Sequence, residues 1–413
     1  MKVSRVVPAG VLDSGMASLA TFLAGLYSLR VLDPSELGTY ALFFSAFITV
    51  MAVSGRLIFL PAEITATLRP LPHRLGVLSD SLRLGVPVAV VAGTAVAAAA
   101  LVAPAEVTAD VVVPLLVTSV ACTMVSPVQD HIRRMFHVGQ RSWRAAWISA
   151  GQLAGVVVFL GVLRMSGVAR TWHPFGALAS ANVASCILGI ALWIRIRGGI
   201  PPDPVPLRTL LRPGKWLVVV DLAPQLAGFV AAALVANLSS AQTLGYAEGA
   251  RVLARPVAVL AAGLMAVLGP RLMSAAANRD AAEARRLSQV YAGVLAASGS
   301  AYLLLAGFDW VGNPLPQLVP TAYAVPGLAA LSIIAYTVDR AAGGGARPQL
   351  LGAARERRVA AVETVASSAW IVAGATAPVT GAFAMPIGYL AMAIVRQPWL
   401  RSLARKLYLP VAP

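Results

Sequence analysis

The chain has 413 residues, of which 58% are hydrophobic and 12% charged, and its mean hydropathy is +0.76. A globular protein of this size could not keep that much apolar surface out of water, so the composition requires a polytopic membrane protein. Its net charge of +16 comes from 33 Lys and Arg against 17 Asp and Glu, but the basic groups are spread over many segments between apolar runs, which removes nucleic acid from the expected partners.

A window of about 20 residues, the length that crosses the hydrocarbon core, predicts twelve spans. They lie near 10–31, 37–60, 82–103, 111–130, 145–166, 173–195, 215–237, 244–270, 287–307, 318–341, 359–377 and 380–397. All must be helices, since lipid offers no partner to an open backbone group. The first run, Val11 through Val31, has no small-residue cleavage site and is expected to remain as a span. The tenth is bounded by Pro314, Pro316, Pro320 and Pro326 before it and by Gly343–Gly345 after it. Cys122 and Cys186 both lie in apolar runs and read as small core residues.

With the amino terminus inside, only Arg164 and Arg170 fall in outward loops, and Arg30, Arg56, Arg251, Arg255 and Arg340 fall in spans. The other basic residues face inward, as in Arg133, Arg134, Arg141 and Arg144. Both termini are therefore expected in the cytoplasm. Asp33 and Glu36, in the turn after the first span, face outward like Glu106 and Asp110.

The run "RGGIPPDPVPLR" (197–208) holds four prolines within six residues and reads as an extended connector. The expected organisation is an N-terminal six-helix lobe (1–197), a cytoplasmic Pro-rich linker (198–214) and a C-terminal six-helix lobe (215–413). Weak repetition agrees: "LDPSELGTYA" (32–41) and "LSSAQTLGYAEGA" (238–250) follow the first and seventh spans, and "GQRSWRAAW" (139–147) and "ARERRVAAV" (354–362) follow the fourth and tenth. Parallel repeats of this kind describe transporter halves.

The stretch "RVLDPSELGTYALFFSAFITVMAVSG" resembles the amino-terminal signature of the Wzx-type lipid-linked oligosaccharide flippases, members of the multidrug/oligosaccharidyl-lipid/polysaccharide (MOP) exporter superfamily. "RRMFHVGQRSWRAAWIS" and "TLGYAEGARVLARPVAVLAAGLMAVLGPRL" are similar to the loop after helix four and to helix eight of that family. The resemblance implies a MATE-like architecture, two six-helix lobes around a central cavity, and alternating access. It further implies movement of a polyprenyl-diphosphate-linked glycan between the leaflets of a bacterial cytoplasmic membrane. The partners it implies are the anionic lipid-linked glycan, membrane lipids, and candidate polysaccharide polymerase or glycosyltransferase components. The second repeat departs from the family pattern, and the stretch from Asp309 to Pro326 is unusually rich in proline.

An arginine at mid-bilayer costs about 2.5–3.5 kcal/mol, so the five arginines within spans must snorkel or face an interior. Arg30 and Arg56 lie near span ends, where they either snorkel or line a cavity mouth. Glu248, Arg251 and Arg255 share one face of the eighth span at i, i+3 and i+7. Glu248 and Arg251 read equally as a packed ion pair or as cavity residues. Arg255 lies about 15 Å below Gly245, with no acid one turn away and Pro256 next to it. That break should free the Val252 carbonyl, and a guanidinium fork there suits an anionic headgroup.

Asp13 and Asp221 stand 24 and 23 residues before Leu37 and Leu244. They read either as helix caps, the preferred reading, or as a repeated coupling-ion pair. Asp339 is expected to neutralise the neighbouring Arg340, a further cavity candidate, while Glu63, Asp130 and Glu363 are expected to be wet at the inner interface. "GQLAG" (151–155) reads as a small-residue packing face. Gly343–Gly345 lack the Lys-Ser/Thr of a phosphate loop. His73, His131, His137 and His173 have no metal-ligand spacing, and no cofactor is expected.

A multidrug or cation antiporter of the same architecture is the competing function, although it would want a deep unpaired carboxylate and a more aromatic cavity than 7% aromatic residues supply. A membrane glycosyltransferase would need a larger extramembrane loop carrying acids or His, so no enzyme is expected. A scaffold would give no reason for a buried arginine beside a helix break.

Overall fold

The computed structural model describes residues 6–200, 203–308, 310 and 320–409. Among the described residues every regular element is helical. The chain divides into two compact units, Met1–Gln225 and Leu226–Pro413.

The first unit opens with α1 (Val6–Val31), α2 (Pro34–Ser54), a π-helical turn (Gly55–Phe59) and α3 (Leu60–Thr67). It continues with α4 (Leu71–Thr94), α5 (Ala98–Leu101), α6 (Ala109–Val138), α7 (Ser142–Met165) and α8 (His173–Arg197). Helix α9 (Leu207–Leu238) carries the chain across the boundary. The second unit holds α10 (Ala241–Ala277), α11 (Ala281–Ala306), α12 (Leu328–Gly343), α13 (Ala346–Gly352), α14 (Glu356–Ala375), α15 (Ala377–Thr380) and α16 (Ala384–Arg405).

Eight helical stretches among the described residues are long and apolar enough to cross a membrane, or nine when the bent α10 is included. The expected count of twelve is corrected accordingly. Helices α1, α12 and α14 stand outside that number. Helix α12 has only 16 residues, and α14 carries Glu356, Arg357, Arg358 and Glu363. A helix that packs against neighbours, as α12 does against α10, α11 and α16, need not be apolar on every face. The proline-rich run ahead of it, with Asp309, Pro314 and Pro316, lies outside the described residues.

The expected linker of 198–214 is also shorter, because helix resumes at Leu207 directly after Pro206. Pro213 is tolerated there since it costs only the bond to Thr209 in the opening turns. Pro201 and Pro202 lie outside the described residues. Asp203 ties the connector to Arg69 of the α3–α4 loop at 3.4 Å and to His73 in the first turn of α4 at 3.7 Å.

Asp33 and Glu36 explain themselves locally. Each side chain accepts a hydrogen bond from the other's backbone N–H at 3.0 Å, a capping box with Pro34 in the first helical turn. Arg170, from the α7–α8 connection, donates to both carboxylates, at 3.0 Å to Asp33 and 3.1 Å to Glu36. In α10 the matching cap is Ser240, which accepts from Thr243 N–H at 3.0 Å.

Small residues set the helix spacing. A Cβ on Gly155 would lie 3.1 Å from that of Ala181, so "GQLAG" lets α7 and α8 close on each other. The break between α12 and α13 runs through Gly344 (φ 50°) and Gly345 (φ 78°). A Cβ on Gly345 would also meet Leu272 at 2.7 Å, so backbone and space both require glycine there. In α10 the expected break at Pro256 is absent: helix continues through it, and the 49° bend lies between Ala241–Met265 and Val267–Ala277. The turn before Pro256 is held from outside by Tyr302, whose hydroxyl donates to the Leu253 carbonyl at 2.7 Å.

Candidate functional site

Pro61 has no N–H to return to the Leu57 carbonyl, and its ring would press on that oxygen in an unbroken α-helix. The chain relieves this by widening one turn, so that Leu60 N–H bonds Gly55 O, five residues back. The Leu57 carbonyl then lies against α9, where a Cβ on Gly214 would come within 2.4 Å of it. This π turn presents Arg56 to Asp221 of α9, and the two side chains form an ion pair.

Beside that pair lies a cavity of about 230 Å³, whose charged and polar lining includes Arg56, Glu63, Asp130, His131, Arg134 and Asp221. Arg134 donates to Asp130 at 2.7 Å and reaches Glu63 at 3.7 Å. Asp130 also accepts from Arg133 at 2.5 Å. Three carboxylates and two guanidinium groups therefore line the cavity, with a third guanidinium, Arg133, on Asp130.

His131 is fully buried, and its ring stacks on Phe59 at 4.2 Å and 14°. Phe59 can lie there because α4 offers Gly85, where a Cβ would fall 2.0 Å from the Phe59 ring. His131 Nε2 is 3.0 Å from both the Leu78 carbonyl and Ser81 Oγ.

Asp13 enters the same network from behind. It accepts from Ser149 at 2.6 Å and lies 2.8 Å from His137 Nε2 and 3.4 Å from Arg133. The capping reading of Asp13 is corrected, because α1 begins at Val6 and this carboxylate is buried two turns in. Asp221 is likewise well inside α9 rather than at its start. The two acids are not positional equivalents either. Leu37 and Leu244 differ by 207 positions, which pairs Asp13 with the buried Val220, and a one-residue slip turns a helical side chain by about 100°.

In the second unit Glu248 accepts twice from Arg251, at 2.5 and 2.6 Å, and once from Arg255 at 3.4 Å. The expectation that no acid answers Arg255 is therefore corrected: seven residues is two helical turns, and a long guanidinium spans them. Two cations share one carboxylate, leaving one positive charge in excess within the trio. Arg340 lies 3.6 Å from Asp339, but the strong partners of Asp339 are others. Arg396 bridges Asp339 and Glu363, at 2.9 Å from the latter. Tyr389 and Gln397 donate to Asp339 at 2.8 and 2.9 Å. Glu363, expected to be wet, is fully buried. Glu63 and Asp130 line the cavity.

Sequence reasoning missed two sets of residues. Asp130, Arg133 and Arg134 carried the i, i+3, i+4 signal of a helical ion cluster but were read as a loop approach. Arg396 was counted with inward charges although it falls within the last predicted span. Among the described residues no group of three His, Cys, Asp or Glu could hold a metal ion.

No protein-family model and no curated protein matches the chain. Solved structures do. An inward-facing multidrug resistance MATE family transporter of the MOP superfamily superposes with a TM-score of 0.73 at 14% identity, covering 96% of each chain. The chain has the MATE fold. A MOP superfamily transporter from Pyrococcus furiosus, described as having a binding pocket of reversed polarity that suggests a different function, matches with a TM-score of 0.69 at 14% identity over 98% of this chain and 96% of its own. A MATE protein in a bent conformation matches at 0.65 and 16% identity over 98% and 95%. The likeness establishes a multi-pass, all-helical MATE-type architecture.

Proposed function

We propose that the chain is a membrane transporter, not an enzyme, that moves a polyprenyl-diphosphate-linked glycan from the inner to the outer leaflet of a bacterial cytoplasmic membrane by alternating access, with both termini cytoplasmic. The MATE fold supports transport as the class of activity. A fold by itself leaves the substrate open. The anionic substrate is supported by one observation, two guanidinium groups, Arg251 and Arg255, gathered at the single carboxylate of Glu248. These residues stand on an apolar helix, and planar guanidinium forks suit an anionic diphosphate headgroup. The resemblance at residues 30–55 points the same way.

A second reading has its own support. The cavity of the first unit is lined by three carboxylates, Glu63, Asp130 and Asp221, and some neighbours of this fold are described as multidrug transporters, so a multidrug or cation antiporter is the alternative.

Export of lipid-linked glycan separates the two. At matched protein levels, Arg255→Gln should abolish export and raise lipid-linked glycan in the inner leaflet. Arg255→Lys should keep part of it, retaining charge without the bidentate fork. Normal export by Arg255→Gln, together with efflux of a cationic dye, would decide for the antiporter.

A further inference from the structure

The imidazole of His131 is held by one nitrogen only. Its Nε2 faces the Leu78 carbonyl, which can only accept, and Ser81 Oγ, whose own proton is donated to the same carbonyl at 2.8 Å. Nε2 must therefore carry a hydrogen. Nδ1, buried in the protein, has no hydrogen-bond partner among the described residues. A neutral ring would leave there a lone pair that no donor meets, at a cost that buried polar atoms seldom carry without a purpose.

What Nδ1 faces is an acid. Glu63 Oε1 of α3 lies 3.9 Å away, too long for a hydrogen bond and short for a charge contact. The other charged neighbours are Asp130 and Arg134 on the same helix, with Arg56 and Asp221 also lining the cavity. Phe59 covers one face of the ring, and a stacked aromatic face favours a cation over a neutral ring. A proton on Nδ1 would set a cation against the Glu63 carboxylate. It would also draw Glu63 into a hydrogen bond. Glu63 is partly exposed, so its carboxylate offers the proton a way in.

We propose that His131 and Glu63 form a proton-binding site in the cavity of the first unit, with the proton held on Nδ1 between imidazole and carboxylate. The site deepens the transport reading, on which its use as a coupling site rests. Protonation draws Glu63 away from Arg134 while Asp130 keeps that guanidinium. The charge state of the cavity beside the Arg56–Asp221 pair thereby follows pH.

The test is a pH titration of the full-length protein in detergent with histidine labelled at both ring nitrogens. The protein has four histidines, and His131→Gln identifies the resonance. At high pH His131 should be the Nε2–H tautomer, and it should take its proton on Nδ1 between pH 5 and 9. In Glu63→Gln its proton affinity should fall at least tenfold. A ring that stays neutral throughout that range in the unaltered protein overturns the proposal whether or not the variants fold. So does a titration that Glu63→Gln leaves unchanged. The measurement uses no transport substrate, so its failure leaves the glycan reading standing, and normal glycan export by Arg255→Gln would leave the titration standing.

Discussion

After Met135 in the first unit and Gln349 in the second, the chain makes the same turn. Gln140 and Ala354 both take positive φ, 58° and 53°. Arg141 N–H returns to Phe136 O at 2.7 Å, and Arg355 N–H to Leu350 O at 2.9 Å. The same spacing of 214 positions places Arg133 opposite Arg347 and Ser149 opposite Glu363. Ahead of the turn the two units part. Helix α6 runs unbroken through Asp130–Arg134, and its charges line a cavity. In the second unit the helix breaks at Gly344–Gly345, and Arg396 enters from α16 to close Asp339 and Glu363 into a buried cluster. Equivalent backbone thus frames two kinds of charge: in one unit open to a cavity and able to change state, in the other packed to fix helices.

The all-or-none test of this equivalence is labelling. With Cys122 and Cys186 replaced, Arg141→Cys and Arg355→Cys should react with an impermeant thiol reagent only after cells are opened, while Ala105→Cys should react in intact cells. Labelling of Arg355→Cys from outside would break the match between the turns.

Next in size is the buried cluster. Arg396→Met leaves two buried carboxylates facing each other without their shared cation, and should cost about 3–5 kcal/mol of stability. Loss of folded protein in detergent, or a large fall in melting temperature, would be the readout. A change within error would mean that Arg340 or Arg347 replaces it.

The smallest stability effect belongs to the cavity. Arg56 is 34% exposed against 8% for Arg396, so Arg56→Gln should cost less stability than Arg396→Met while reducing glycan export at matched expression. Stability loss as large as for Arg396→Met would erase the distinction between the two clusters.

Much of this was legible locally. Hydropathy gave the membrane class, and Asp33 and Glu36, placed by the sequence reading only as an outward turn, have the three-residue spacing of N-cap and N3 in a capping box. Glu248 and Arg251 one turn apart had to be within reach of each other for the same reason. The paired starts at Leu37 and Leu244 were visible because each follows a break that only a cap can begin.

The sites were not legible in this way, because they join residues far apart in the chain. Nothing near Arg396 says that Asp339 and Glu363 will meet it. Arg56 reaches Asp221 only because a π turn, forced by Pro61 and seated against Gly214, turns it there. The orphaned nitrogen of His131 exists only once α3, α4 and α6 surround it. Composition and short-range spacing are set by bonds along the chain, and they determined the membrane class and local contacts such as Asp33 with Glu36 and Glu248 with Arg251. Which charges share a carboxylate, and which face a cavity, was decided by packing, where one residue of register turns a side chain about 100° from one environment into another.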